Sequence, residues 1–79
     1  MGGDRPIRVK CWEKFLKFKG CTFKSKKGTS HDKWRCPGCI MSITFRGSEK
    51  EIPFAHIKTN LETMGVPPDD FRIWIKDNC

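Results

Sequence analysis

The chain has 79 residues, with sixteen Lys and Arg against nine Asp and Glu, a net charge of +7. A domain of this size buries only about 60% of its unfolded surface, so one thin core is expected, without a second domain or deep substrate cleft. No apolar run approaches the roughly 18 to 20 residues of a membrane span, and the first residues lack the basic and then apolar order of a secretory signal.

Charge is uneven along the chain. Residues 1–48 hold twelve basic and three acidic side chains, a net of +9, whereas residues 49–79 hold four and six, a net of −2. One strongly positive face or end is expected, suited to a polyanion and bound in a salt-dependent way. The competing reading is a basic domain that is merely soluble. Five cysteines, an odd number without a signal segment, are read as free thiols in a cytoplasmic protein.

Residues 1–9 read as a tail or entry segment. Over residues 10–19 the apolar positions Cys11, Trp12, Phe15, Leu16 and Phe18 fall mostly three or four apart and predict a helix, closed by Gly20 as a left-handed cap. Residues 21–27 alternate as a half-buried strand with Cys21 and Phe23 inward. Gly28, Thr29 and Ser30 form a turn, and a second strand is expected over residues 31–36. Cys36-Pro37-Gly38-Cys39 is built for a type II turn. A third strand follows over residues 40–46, with Met41, Ile43 and Phe45 as its core face.

Residues 47–53 are a polar connection. Phe54, Ile57, Leu61 and Met64 then share one side of a helix that Gly65 ends. Pro67 and Pro68 open a last short helix with Asp69 and Asp70 in its first turn and Phe71, Trp74 and Ile75 as its buried stripe. The fold class is α+β, one domain over residues 1–79: helix, three antiparallel strands, helix and a short extra C-terminal helix.

The chemistry concentrates in residues 24–34. His31 can give or take a proton near neutrality, as imidazoles do with a pKa of about 6.5, and Lys24, Lys26, Lys27 and Lys33 around it suit a phosphate backbone. A lysine-rich hairpin loop with an incidental histidine is the bland alternative. His56, at the start of a core helix, reads as structural rather than active. Among the aromatic residues, Trp12, Phe15, Phe23, Phe45, Phe54, Phe71 and Trp74 read as core, and Trp34 as the one placed for RNA contact.

A zinc site is the runner-up. Cys36 and Cys39 have the two-residue gap of a zinc knuckle, and Cys11 and Cys21 complete a four-thiolate set. Against it, Cys11 and Cys21 form no second knuckle, and Cys11 would lie on a helix.

In order and spacing, several features resemble the HicA family of bacterial toxin ribonucleases: the helix ending in Gly20, Lys27-Gly28-Thr29-Ser30-His31, the aromatic Trp34, the Pro-Gly turn, Ile43-Thr44-Phe45, Glu51-Ile52-Pro53, residues 57–65 and Asp70-Phe71. The chain departs from the family pattern at Thr29, an apparent insertion, at Asp32, and at Arg46-Gly47-Ser48, where relatives often carry histidine. The resemblance implies a double-stranded-RNA-binding-like α-β-β-β-α fold and the toxin of a type II toxin–antitoxin system. It also implies a metal-independent mRNA endoribonuclease with no cofactor, His31 as catalytic residue, and a HicB-like antitoxin as partner. Lys24, Lys26, Lys27, Ser30, Lys33, Trp34 and Arg35 are the expected RNA-binding residues. A non-catalytic RNA-binding domain on the same fold and a zinc-dependent nucleic-acid module remain open beside it.

Overall fold

A computed structural model describes residues 5–25 and 31–79, with Ser25 and His31 described as backbone. Among these residues the elements run β1 (Ile7–Arg8), α1 (Val9–Phe18), β2 (Thr22–Ser25), β3 (His31–Arg35), β4 (Ile43–Arg46), β5 (Glu51–Ile52), α2 (Phe54–Met64) and α3 (Pro68–Asn78). Strands β2, β3 and β4 form one antiparallel sheet in that order, and β1 pairs with β5 in a separate ribbon. The α+β class therefore holds.

Helix α1 buries Val9, Trp12, Phe15 and Leu16, the stripe that three-and-four spacing produces on a helix. Its last turn closes as expected. The amide of Gly20 donates to the Lys17 carbonyl at 3.0 Å and that of Cys21 to Leu16 at 2.9 Å, a Schellman pair that needs φ of +82° at Gly20. Helix α2 ends with the same two-bond pattern at Gly65 and Val66, and buries Phe54, Ile57 and Leu61. Helix α3 is longer than the short helix expected, eleven residues starting with Pro68 at its first position. Phe71 is its one fully buried side chain, with Trp74 and Ile75 partly buried beside it.

Residues 7–8 are not part of a tail. Ile7 pairs with Ile52 and Arg8 with Glu51, and the Val9 amide, which a helix start leaves unsatisfied, donates to the Lys50 carbonyl at 3.0 Å. The ribbon thus supplies a partner that no side-chain cap provides. The Pro37-Gly38 turn forms as read: the Cys39 amide meets the Cys36 carbonyl at 3.1 Å, with φ of +75° at Gly38.

Trp12 sits at the centre of the core, edge-on to Phe71 at 5.4 Å and to Phe45 at 6.4 Å, while Phe15 meets Phe71 at 4.8 Å. Three residues of the expected stripes lie outside it. Phe18, at the C-terminal end of α1, is 64% exposed. Met41 is 68% exposed because β4 begins only at Ile43, so the alternation that buries Ile43 and Phe45 does not extend back to it. Phe23 is 50% exposed although it faces Trp34 at 5.8 Å, because β2 is an edge strand, with no described strand beyond it to cover the ring.

The cysteines also differ from the free-thiol expectation. Cys11 is bonded to Cys79, with Cα atoms 6.1 Å apart, and Cys21 to Cys36, at 4.1 Å. Cys39 is the free cysteine among the described residues. Register explains the second pair: Thr22 lies opposite Arg35, so Cys21 and Cys36 meet where the β2–β3 ladder opens. Among the described residues no helix is long and apolar enough to cross a membrane.

Candidate nucleic-acid interface

Alternation along the three-stranded sheet divides its residues cleanly. On one side Asp32, Trp34, Ile43 and Phe45 are buried; on the other Thr22, Lys33, Arg35, Thr44 and Arg46 are exposed. The ladder places Lys33 opposite Thr44, Thr22 opposite Arg35, and residue 31 opposite Arg46. Strands lie about 4.8 Å apart, and alternate residues along one strand about 6.7 Å apart. Lys33, Arg35 and Arg46 therefore form a compact cationic field on an open sheet face, with backbone position 31 on its border and the same strand parity as Lys33 and Arg35.

Each expected site residue can be placed against that face. Lys33 and Arg35 lie on it, and the Arg35 guanidinium reaches the Ile40 carbonyl at 3.5 Å. Lys24 is exposed on β2, where the register shifts between Phe23 and Ser25; such a bulge at a sheet edge turns side chains away from strict alternation. Lys26, Lys27 and Ser30 lie outside the described residues, as does the Gly28-Thr29-Ser30 turn.

Trp34 corrects the sequence reading. It is 4% exposed, stacked on Phe45 at 6.4 Å with planes 28° apart, so neither face of the indole is open to a base. Proximity in sequence to the basic loop suggested contact; strand parity turns the ring inward. The same parity takes Asp32 to the buried face, packed so closely on Gly47 that a Cβ there would overlap its carboxylate.

The zinc set is not assembled. Cys11 and Cys79 lie between α1 and the chain end, Cys21 and Cys36 bridge β2 and β3, and no group of three or more His, Cys, Asp or Glu is placed to hold a metal ion among the described residues.

Beside the cationic face, a groove of about 560 Å³ runs between β4 and α2, lined by Thr44, Arg46, Glu49, Glu51, His56 and Asn60 among others. Two local features build it. The Asn60 side chain donates to the Thr44 carbonyl at 3.0 Å, tying α2 to the outer edge of β4. The turn after β4, where the Glu49 amide meets the Arg46 carbonyl at 3.2 Å, brings Glu49 to the groove's wall. The sequence reading missed the joint placement of Arg46 and His56. Its only signal would have been the β3–β4 register, which the seven residues 36–42 between the strands conceal.

No family model, curated protein or solved structure matches the chain.

Proposed function

We propose that this chain is a HicA-like toxin of a bacterial type II toxin–antitoxin system, a metal-independent endoribonuclease acting on mRNA in the cytoplasm. The observation that carries the reading is the open, cationic sheet face of Lys33, Arg35 and Arg46 with position 31 in register at its border. The order α1, three antiparallel strands and α2 supports the double-stranded-RNA-binding-like arrangement that the resemblance implies.

RNA brings its own nucleophile. A base that takes the 2′-hydroxyl proton lets that oxygen attack the adjacent phosphorus, and a well-placed base contributes roughly 10²- to 10⁴-fold in rate. His31 is assigned that role, while the cations of the sheet face hold the phosphodiester and offset charge developing on its oxygens. A HicB-like antitoxin with an acidic contact surface would mask the same face.

Incubating mRNA with the purified protein in EDTA tests the reading. Cleavage to 2′,3′-cyclic or 3′-phosphate ends, absent in a folded His31→Ala variant, is the expected outcome. Tight binding with the RNA left intact would instead make the chain a non-catalytic RNA-binding domain.

A further inference from the structure

Strand scission by a 2′-hydroxyl has a second proton transfer. As the 2′-oxygen bonds to phosphorus, the P–O5′ bond breaks on the opposite side, and the departing 5′-alkoxide must be protonated. One imidazole beside the 2′-oxygen cannot also occupy that opposite side. Resting on the endoribonuclease reading above, we propose that His56 is the general acid for the leaving 5′-oxygen, acting from the groove between β4 and α2.

Two observations converge on this residue. His56 is exposed on the first turn of α2 and lines the groove together with Arg46. Arg46 is the register partner of residue 31, so the groove begins one strand away from the proposed base. The arginine between the two imidazole-bearing positions is placed to hold the non-bridging oxygens of a phosphodiester that spans them.

Chemistry excludes the other described polar groups of the groove. A carboxylate, the usual form of a glutamate near neutrality, only accepts hydrogen bonds. Hydroxyls and amides do not release protons near neutrality, and the Asn60 amide is already bonded to Thr44. The Arg46 guanidinium holds its protons too tightly to give one up, which leaves an imidazolium as the proton donor.

The step balances without a co-reactant. The base takes the 2′-hydroxyl proton, the new P–O2′ bond closes a 2′,3′-cyclic phosphate, the P–O5′ bond breaks, and the His56 imidazolium delivers its proton to the 5′-oxygen.

Replacing the bridging 5′-oxygen with sulfur tests the assignment, because a thiolate departs without protonation. An oligoribonucleotide spanning a cleavage site mapped on mRNA is made with either atom at the scissile linkage. Unsubstituted protein, His56→Ala, His56→Asn and His31→Ala are compared in EDTA, and circular dichroism and urea midpoints establish that each variant folds. Both His56 variants should cleave the oxygen linkage roughly 10²- to 10⁴-fold more slowly and the sulfur linkage within about fivefold of the unsubstituted protein. His31→Ala should lose both. Full activity of the folded His56 variants on the oxygen linkage, or an equal loss on the two linkages, overturns the role of His56 while leaving the endoribonuclease reading in place. Failure of the unsubstituted protein to cleave either linkage overturns that reading and the general acid with it.

Discussion

Trp34 and Gly47 show how single residues settle questions that sequence proximity leaves open. The indole of Trp34 is stacked inside on Phe45, and its N–H has no acceptor among the described residues. Trp34→Phe removes that unsatisfied donor while keeping an aromatic ring against Phe45, so we expect a stability loss of no more than about 2 kcal/mol by urea denaturation. RNA affinity should stay within a factor of two to three; a larger drop would mean that the ring reaches RNA after all. Gly47 is the opposite case. A methyl group there would collide with the Asp32 carboxyl, itself buried and backed by the sheet, so Gly47→Ala should destabilise the fold by about 1–3 kcal/mol in the same measurement.

At the level of elements, the sheet's exposed face is where binding should be read. Lys33, Arg35 and Arg46 project from β3 and β4 away from the core, so removing them leaves the buried packing in place, with only the long Arg35–Ile40 bond lost. Replacing each singly by Ala should weaken RNA binding and lower the slope of log affinity against log salt by about 0.7 to 1 per residue, measured by fluorescence anisotropy across a salt series. An unchanged slope for all three would place the RNA elsewhere. Much of this architecture was legible before the structure. Gly20, Gly65, Pro37-Gly38 and Pro67-Pro68 punctuate the chain by backbone constraints that context rarely overrides, and between them Trp12, Phe15, Ile43, Ile57, Leu61 and Phe71 are buried as their spacing predicts. What stayed hidden depends on partners distant in sequence. Ile7–Arg8 becomes a strand only because Glu51–Ile52 lies beside it, a two-residue pairing with no period of its own. Residues 76–78 continue α3 without any apolar position to announce it. The groove that unites Arg46 and His56 exists because α2 folds back along β4, a fact of tertiary packing.

For the molecule as a whole, the cross-links raise the question of which redox state does the work. Cys11–Cys79 closes a loop of 68 residues between the start of α1 and the chain end, and Cys21–Cys36 one of 15 within it. By the chain-entropy account, loops of these lengths stabilise by up to about 4 and 3 kcal/mol, large values for a domain of this size. A reducing cytosol, in which the proposed toxin would act, keeps such thiols open. Other contacts join the same elements, however. Helices α1 and α3 also meet through the Lys14 ammonium, which donates to the Asn78 carbonyl at 2.9 Å, and through Phe15 against Phe71 and Trp74. The β2–β3 ladder continues for three further pairs beyond Cys21 and Cys36. We therefore expect dithiothreitol to lower the urea midpoint while far-UV circular dichroism in buffer and RNA cleavage remain unchanged. Cys79→Ser should show lower stability only under oxidising conditions and match the unsubstituted protein once both are reduced. Activity that disappears on reduction, with the fold intact, would make the oxidised chain the working form and place it outside a reducing compartment.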